Sequence, residues 1–404
     1  ASGHLAGFGI EVGKTKLNLA EMMSGKDKIV SGLTGGIDHL FKKNKITRLS
    51  GTARLKGQQR IDLSVSGKTQ SYSASRILIA TGSVPTSLPN VEIDETKIVS
   101  STGALALDKL PKSMVVIGAG YIGLEMGTVW SRLGTKVEVV EYLPRILPGM
   151  DLEVANKFKA MMTKQGLSFH MNTAVKSAKA TKTGVTLILA DAKSHEETEM
   201  KCDIALVSVG RRPNTDGLGL EDLGVALNER GQIIVDDDFE TNIEGVFAVG
   251  DVIPGPMLAH KAEEDSVAAV EIMAGQAGHV DYGLVPGIVY TAPEIATLGA
   301  TEEALIEAAI DYKKGLFPFL ANSRAKATGH TDGFVKILAD AKTDRVLGCH
   351  IIAHEAGTLI HEVATAMAFG ASSEDIARTC HGHPTMNEAV KEAALAVDGR
   401  AIHI

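Results

Sequence analysis

The fold is decided by the segment Met114–Glu141. It reads Met-Val-Val-Ile, then Gly118-Ala-Gly120-Tyr-Ile-Gly123, then a helical run, and finally Val-Glu-Val-Val before Glu141. A short apolar strand, a glycine turn, a helix, a second strand and a terminal acid are typical of a dinucleotide-binding β-α-β unit. We therefore predict an open α/β sheet with a Rossmann-like nucleotide site at this point of the chain.

Each glycine of this turn has its own role in the prediction. Gly118 permits the tight turn, Gly120 lets the backbone approach a pyrophosphate, and Gly123 lets the helix pack close to the strand. The N–H groups at the helix start would face the phosphate charge. Glu141 is suited to a ribose 2′-hydroxyl and would repel a 2′-phosphate, which favours NAD over NADP. A glycine turn in an α/β domain that binds nothing remains the alternative.

The bulk properties exclude several classes of protein. The chain has 404 residues, a net charge of −8 and 44% hydrophobic residues, which suggests two to four globular domains. No Lys/Arg run predicts a nucleic-acid partner, and no apolar run predicts a membrane span. We see no secretory signal and no starting Met. The three cysteines, Cys202, Cys349 and Cys380, are far apart, so we expect free thiols in a reducing compartment.

Glycine follows three apolar strand-like runs, at Gly82, Gly210 and Gly250. Ligands of open α/β sheets bind beyond the carboxyl ends of strands, and glycine there lets a ligand lie against the backbone. Asp251 adds a carboxylate suited to a ribose hydroxyl. Together with the turn at Gly118, these ends predict two bound nucleotides.

Helical and strand-like patterns outline the rest of the chain. Residues 1–45 are predicted to be mostly helical, with an amphipathic pattern over Leu17–Phe41, and residues 46–82 to form short strands. A further helix is predicted from about Leu258 to Met273. Beyond residue 282, strands alternate with helices as in an α+β domain; the predicted elements are strands Gly333–Leu338 and Arg345–Ile352 and helices Ala356–Phe369 and Asn387–Ala396.

These segments resemble the pyridine nucleotide–disulfide oxidoreductases over essentially the whole chain. The resemblance rests on Leu78–Ser83, Gly118–Glu125, Val209–Asn214, Ala248–Asp251, Met257–Ala262 and His383–Glu388. The run Phe317–Ala325 resembles the class I branch that oxidises protein-bound dihydrolipoamide and reduces NAD in 2-oxo acid dehydrogenase complexes. The resemblance implies Rossmann-like domains for FAD and NAD followed by a C-terminal α+β dimerisation domain.

The resemblance also implies domain boundaries and cofactor contacts. Residues 1–82 would be part of an FAD domain, 83–213 an NAD domain, 214–281 a central domain that completes the FAD site, and 282–404 an interface domain. The implied FAD contacts are Ala53, Thr81, Gly82, Ser83, Asp251, Met257, Leu258, Ala259 and His260. The implied NAD contacts are Gly118, Ala119, Gly120, Tyr121, Ile122, Gly123, Leu124, Glu125, Glu141, Val175 and Gly210.

Two of these implied contacts have further roles. Glu125 is expected to pair with a lysine beside the flavin. The helix from Leu258 would direct its positive N-terminal end toward the flavin ring and favour negative charge there.

A His–Glu pair is the candidate catalytic group. His383 precedes Pro384, which places it in a loop, and Glu388 follows at a predicted helix start, from which it can reach back. A carboxylate on one ring nitrogen fixes the tautomer and raises the basicity of the other nitrogen, which suits deprotonation of a substrate thiol. A solvated loop histidine is the alternative. In the family this pair serves the active site of the partner subunit, so a homodimer is implied.

Other polar clusters are weaker candidates. Cys380, His381 and His383 have no second ligand cluster at helical spacing, so we predict no metal site. His361-Glu362 lacks the second histidine of a zinc-protease helix. We interpret Cys380, His381, His361 and Glu362 as ordinary surface or core residues, and Ser323-Arg324 as an interface contact.

The sequence departs from the family at its start. The first glycine-rich turn for FAD and a cysteine pair four residues apart are absent from the 404 residues. We therefore expect this form to be inactive in redox turnover, while the parent protein is a dehydrogenase. The alternatives are a catalytically dead dimeric NAD-binding fragment and a related flavin disulfide or quinone reductase. The implied partners are lipoyl domains and the core of the complex, in the bacterial cytoplasm or the mitochondrial matrix.

Overall fold

The computed structural model describes residues 5–57 and 59–404. The chain divides into two compact units, each made of discontinuous segments. One unit contains Ser87–Val209 and Gly283–Ile404 together with the first segment of the chain, and the other contains Asn18–Thr86 and Gly210–Tyr282. The two are described separately below as the first and the second unit. The four domain boundaries expected from the sequence stay a prediction.

The first unit contains the predicted parallel sheet. Its five parallel strands lie in the order Ile98–Val99, Ile204–Val207, Ser113–Ile117, Lys136–Val140 and Ser168–His170. The helix Tyr121–Leu133 connects the third and fourth strands, as the segment Met114–Glu141 predicted. A second helix, Leu152–Lys164, begins where the Asp151 side chain accepts hydrogen bonds from the N–H groups of Glu153 and Val154.

Two further sheets belong to the same unit. A three-stranded antiparallel sheet is formed by Thr173–Ala180, Val185–Asp191 and Glu197–Cys202. A five-stranded antiparallel sheet has the order Gly287–Val289, Glu294–Gly299, Val346–Ala353, Phe334–Asp340 and Tyr312–Pro318. The helices around the five-stranded sheet are Glu302–Glu307, Ser323–Thr328, Ala356–Ala368, Ser373–Arg378 and Glu388–Ala396. The predicted α+β texture beyond residue 282 is confirmed.

Apolar side chains of this last sheet and its helices form one buried core. Phe317, Val335 and Ile351 come from the strands, and Ile360 and Val390 come from the two longer helices. These side chains alternate along the strands or recur on one helix face, as burial of one side of each element requires. This packing positions the helices Ala356–Ala368 and Glu388–Ala396, and the second of them begins with the candidate site residue Glu388.

The second unit is built from short strands and two long helices. A three-stranded antiparallel sheet contains Thr52–Leu55, Arg60–Val65 and Lys68–Ser73. Ile77–Ile79 pairs in parallel with Val246–Ala248, and Ser83–Pro85 pairs antiparallel with Arg211–Pro213. The helices are Leu19–Lys43, Leu220–Leu223 and Ala259–Met273. Gly82 and Gly250 thus follow two strands that pair with each other in parallel. Ligands of open α/β sheets bind beyond the carboxyl ends of such strands.

The amphipathic helix predicted near the start of the chain is confirmed as Leu19–Lys43, with Asn18 as its N-cap. None of its residues is buried, and Leu33 is 68% exposed. The amphipathic pattern therefore predicted the helix, while its apolar face is not covered within the described residues. No helix in the described part of the chain combines the length and apolarity needed to cross a membrane. The three cysteines are free; Cys202 and Cys349 are buried and Cys380 is exposed.

Candidate nucleotide and catalytic sites

The glycine turn after strand Ser113–Ile117 packs closely against neighbouring backbone atoms. Gly118 has φ +101°, and a Cβ there would lie 2.5 Å from the backbone oxygen of Ser208. A Cβ on Gly123 would lie 2.3 Å from the Gly118 carbonyl oxygen. Both distances are far inside van der Waals contact, and φ near +100° strains any L side chain. Glycine at these two positions is thus required by the turn and by the close packing of helix on strand.

Gly120 differs from the other two glycines because the space above it is open. It is the N-cap of helix Tyr121–Leu133 and makes no side-chain cap hydrogen bond, so the first N–H groups of the helix have no side-chain acceptor. A Cβ on Gly120 would meet no atom within 4 Å. This arrangement fits a phosphate held by backbone N–H groups. The predicted contacts Ala119, Tyr121, Ile122 and Leu124 lie in the same turn and first helical turn.

Glu141 ties the second strand to the glycine turn. Its buried carboxylate accepts hydrogen bonds from the N–H of Ala119 at 2.7 Å and of Leu143 at 2.8 Å. A carboxylate oxygen can accept more than one hydrogen bond, so both oxygens keep capacity for a ribose hydroxyl. The carbonyl of Glu141 also accepts from the N–H of Thr173, which begins the strand that carries Val175. The sequence predicted a ribose ligand here but missed the bond to the turn.

Glu125 lies on helix Tyr121–Leu133 and is partly buried. It accepts a hydrogen bond from the N–H of Tyr290 at 2.8 Å. Desolvation raises the pKa of Glu125, although that backbone bond opposes the effect. A partly buried carboxyl group with a raised pKa is a feature of cofactor sites. Its implied lysine partner and its place beside a flavin stay predictions.

In the second unit, the candidate FAD residues Ser83 and Asp251 are in direct contact. The Ser83 hydroxyl donates to Asp251 Oδ2 at 2.5 Å, and Arg211 Nε donates to the Ser83 hydroxyl at 2.6 Å. Thr81 donates through its hydroxyl to the carbonyl of Asn214 at 2.7 Å. Gly82 and Gly210 have φ +71° and +119°, and a Cβ on either would meet nothing within 4 Å. The strand ends therefore leave open space beside a fixed carboxylate.

A buried ion pair supports the Gly250 turn. Lys261 and Asp265 have no exposed side-chain surface, and Lys261 Nζ lies 2.6 Å from Asp265 Oδ2. Lys261 donates to the Gly250 carbonyl at 3.1 Å, while Asp265 accepts from the Gly250 N–H at 3.0 Å. Tyr282 donates its hydroxyl to the other Asp265 oxygen at 2.9 Å. Sequence reasoning missed this network; only the i,i+4 spacing of the pair was visible there.

The remaining predicted FAD contacts have less defined surroundings. Met257, Leu258, Ala259 and His260 lie at the start of helix Ala259–Met273, where Leu258 is the N-cap without a side-chain bond. Ala53 is exposed in strand Thr52–Leu55. The helix start is confirmed where the sequence placed it. The direction of its N-terminal end toward a flavin stays a prediction.

The structure brings His383 and Glu388 together in the first unit. His383 Nδ1 lies 2.9 Å from Glu388 Oε1, and the N–H of Thr385 donates to Glu388 Oε2 at 2.8 Å. Asn322 donates to the Thr385 carbonyl at 3.0 Å and so braces the loop. Desolvation opposes ionisation of Glu388, but the bonds from Thr385 and His383 outweigh it and lower the pKa of Glu388. Glu388 is thereby kept as the carboxylate that an oriented base needs.

Three residues next to this pair were not singled out from the sequence as site residues. Glu362, on helix Ala356–Ala368, contacts both His381 and Asn387. The earlier interpretation of Glu362 and His381 as ordinary residues overlooked this contact because they come from separate segments. No metal-binding group of three or more His, Cys, Asp or Glu residues exists among the described residues.

The buried thiols are poor redox groups. Desolvation raises the pKa of Cys202 to about 11, and it raises that of Cys349 as well. The thiolate is the reactive form of cysteine, so neither residue is activated for disulfide exchange.

The α/β architecture has three features expected of a nucleotide-dependent oxidoreductase. They are a glycine turn with an adjoining acid, a second strand edge with a carboxylate, and a His–Glu pair in contact. The pyridine nucleotide-disulphide oxidoreductase profile matches residues 2–266, and the dimerisation-domain profile of the same family matches residues 285–394. The chain belongs to this family. The dimerisation-domain match supports a homodimer.

Individual relatives agree with this assignment. The mitochondrial dihydrolipoyl dehydrogenase of Pisum sativum is 52% identical over 400 residues, which cover 99% of this chain and 80% of the relative. A leghemoglobin reductase of Glycine max is 52% identical over 392 residues, covering 97% of this chain and 75% of the relative. The crystal structure of LpdA from Mycobacterium tuberculosis matches with a TM-score of 0.88 and 26% identity, covering 97% and 85% of the two chains.

Proposed function

We propose that this protein is an NAD-dependent dihydrolipoyl dehydrogenase, which oxidises a protein-bound dihydrolipoyl group to the lipoyl disulfide and reduces NAD⁺. The observation that carries the proposal is the His383–Glu388 pair, with its 2.9 Å contact, in a chain of this family. The pea relative, 52% identical, is named a dihydrolipoyl dehydrogenase. A thiol substrate needs a base of this kind because the reference pKa of a thiol is about 8.5.

The geometry of the pair supports one proton path. Glu388 Oε1 is an acceptor, so Nδ1 of His383 carries a hydrogen, and in the neutral imidazole Nε2 has the lone pair. The His383 side chain is 69% exposed, and Nε2 is therefore open to a substrate thiol. Nε2 takes the thiol proton and Glu388 stabilises the resulting imidazolium. The thiolate that forms would be the nucleophile that attacks a redox disulfide, and the three free cysteines of these 404 residues do not supply that disulfide.

The cofactors of this family are FAD and NAD, which accept the electron pair and carry it as hydride when bound. For NAD, the turn Gly118–Gly123 would hold the pyrophosphate and Glu141 the adenosine ribose, with Glu125, Val175 and Gly210 as further contacts. For FAD, Thr81, Gly82, Ser83 and Asp251 would hold the ribityl and phosphate portion, with Ala53 and Met257–His260 as further contacts. The open space above Gly82, Gly120 and Gly210 supports both sites.

The partners and the location follow the proposed reaction. The protein would act on lipoyl domains attached to the core of a 2-oxo acid dehydrogenase complex. Several relatives are named as mitochondrial, which favours the mitochondrial matrix over a bacterial cytoplasm. The same relatives are 50–52% identical to this chain over the aligned residues, which supports the substrate class and does not select a particular complex.

The proposal is tested by NAD⁺ reduction with dihydrolipoamide. We would assay the chain as it stands and the chain extended at its N-terminus by the corresponding segment of the pea relative. We expect flavin absorbance and turnover in the extended protein, and a loss of at least about 100-fold in turnover for His383→Gln. His361→Gln, an exposed histidine on a nearby helix, is the control. An extended protein that is colourless and inactive would refute the assignment.

A second candidate is a dimeric NAD-binding protein without redox turnover. It is favoured by the burial of Cys202 and Cys349, which leaves neither thiol activated for disulfide exchange. It is supported by NADH binding without bound flavin. Gly120→Val should abolish that binding, because the side chain would fill the open space above the helix start; unchanged binding would contradict the site. Competition between lipoamide, other disulfides and quinones separates dihydrolipoyl oxidation from the related reductases.

A further inference from the structure

One carboxylate contacts both ends of the loop that carries the catalytic histidine. Glu362 Oε1 lies 2.6 Å from Nε2 of His381, and Glu362 Oε2 accepts from the side-chain amide of Asn387 at 2.7 Å. His383 lies between these two contacts, and Glu388 follows directly after Asn387. We name the set Glu362, His381 and Asn387 the loop clamp. The clamp fixes the segment at His381 and at Asn387 from a separate helix.

The hydrogen bonds of His381 define its form. Its Nδ1 lies 2.9 Å from the carbonyl oxygen of Thr379, and its Nε2 faces the Glu362 carboxylate. Both partners are acceptors, so both contacts are hydrogen bonds only if each ring nitrogen carries a hydrogen. The Thr379 carbonyl also accepts from Lys391 Nζ at 3.0 Å, which confirms it as an acceptor. The contact with Glu362 is buried on the histidine side, because the His381 side chain is only 5% exposed.

Asn387 links the clamp to the catalytic carboxylate. It is the N-cap of helix Glu388–Ala396, yet its side chain makes no cap hydrogen bond. Its amide is instead used to contact Glu362. The first residue of that helix is Glu388, whose Oε1 contacts His383 and whose Oε2 accepts from Thr385. The position of Asn387 therefore determines where helix Glu388–Ala396 begins and how the Glu388 side chain reaches His383.

We propose that Glu362 is a positioning residue, which holds His381 and Asn387 so that the loop presents His383 to Glu388 in one geometry. The inference rests on the proposed function, because His383 is the base only in that reaction. The charged and titratable groups of the cluster are Glu362, His381, His383, Glu388 and Lys391. Glu362 touches neither member of the catalytic pair, and it acts through the two ends of the loop.

The test uses the chain with ¹⁵N-labelled histidine rings, in the wild type and in two variants. Glu362→Gln offers one acceptor and one donor in place of two acceptors, so it cannot accept from both His381 Nε2 and the Asn387 amide. Asn387→Ala removes one end of the clamp without removing a helix cap. His361→Gln is the matched control on the same helix. NMR spectra recorded against pH report which ring nitrogens of His381 and His383 carry hydrogen.

In the wild type we expect hydrogen on both His381 nitrogens and a single His383 tautomer with hydrogen on Nδ1. In Glu362→Gln we expect His381 to lose the Nε2 hydrogen at neutral pH and His383 to show a mixture of tautomers. Asn387→Ala should change His383 and leave His381 charged. A His383 titration identical to the wild type in both variants, with His381 unaltered in Glu362→Gln, would overturn the proposal.

An activity measurement separates this proposal from the proposed function. In the extended, flavin-containing protein, Glu362→Gln should lower kcat with dihydrolipoamide by about tenfold, because small misplacement of a base is costly. NADH oxidation with an artificial electron acceptor, which needs no thiol base, should stay at the wild-type rate. A wild type without turnover would refute the proposed function while the NMR result still decides the clamp. Equal loss of both activities would mean a structural role alone and would refute positioning.

Discussion

Removing one member of the buried Lys261–Asp265 ion pair should strongly lower the free energy of unfolding of the second unit. Asp265→Asn removes a carboxylate that accepts from Lys261, from the Gly250 N–H and from the Tyr282 hydroxyl. The amide keeps one acceptor oxygen, but the Lys261 charge remains without an ionic partner at zero exposure. Removing one member of a buried ion pair costs about 3–5 kcal/mol. We expect a loss of that size in the free energy of unfolding.

The assay is equilibrium urea unfolding followed by far-UV circular dichroism, with the midpoint and slope compared between variants. Asp216→Asn is the control, since Asp216 forms an ion pair with Arg212 at the same spacing but is 73% exposed. Exposed pairs contribute at most about 1 kcal/mol. The double variant Lys261→Met with Asp265→Leu should recover part of the loss, because neither charge remains buried although the Gly250 N–H and the Tyr282 hydroxyl lose their acceptor. A loss below about 1 kcal/mol for Asp265→Asn would refute the reasoning.

Three further predictions test other parts of the molecule. Gly118→Ala should prevent folding of the parallel sheet, since φ is +101° and the new Cβ would lie 2.5 Å from the Ser208 backbone oxygen. Gly120→Ala, where the new Cβ meets nothing within 4 Å, should fold with an unchanged melting curve. Equal melting curves for the two variants would contradict the site geometry. The pKa of Asp151 is lowered: burial opposes this, but His350 and bonds from Lys336 outweigh it. Its contribution to stability is therefore present above the unfolded-state pKa and is lost as pH falls through the lower folded-state value. Asp151→Asn should flatten the acid side of a plot of melting temperature against pH, and an unchanged acid limb would contradict this. An aromatic disulfide reagent should modify the exposed Cys380 rapidly in the native protein. Cys202 and Cys349 should react only after unfolding, because burial raises the pKa of these two thiols. Rapid reaction of all three cysteines in the native protein would contradict the burial.

The sequence predicted those features that depend on neighbours along the chain. The turn at Gly118 and Gly123, the strand before it and the helix after it are local, because backbone conformation and close packing select glycine there. The contact between His383 and Glu388 was also predictable, since they lie five positions apart across a loop. In each case, the residues that define the feature lie within one β-α-β unit or one loop.

The features that the sequence did not reveal depend on separate segments or on burial. Glu362 meets His381 and Asn387 only because helix Ala356–Ala368 packs on the same core as helix Glu388–Ala396. The i,i+4 spacing of Lys261 and Asp265 does not distinguish a buried pair from the many solvated pairs of this kind. Likewise, the bond from Ala119 to Glu141 requires the register of two parallel strands, which side-chain pattern alone does not give.

The discontinuous second unit has a consequence for how the protein is made. Strand Ile77–Ile79 is synthesised early, whereas its parallel partner Val246–Ala248 follows only after the whole segment Ser87–Val209. At ordinary rates of translation the first strand waits roughly 10–30 s with an unpaired edge. During that interval the apolar side chains of the waiting strand are exposed to other nascent chains. Folding yield in a cell should therefore depend on chaperones that shield this strand, more than on the stability of the finished molecule.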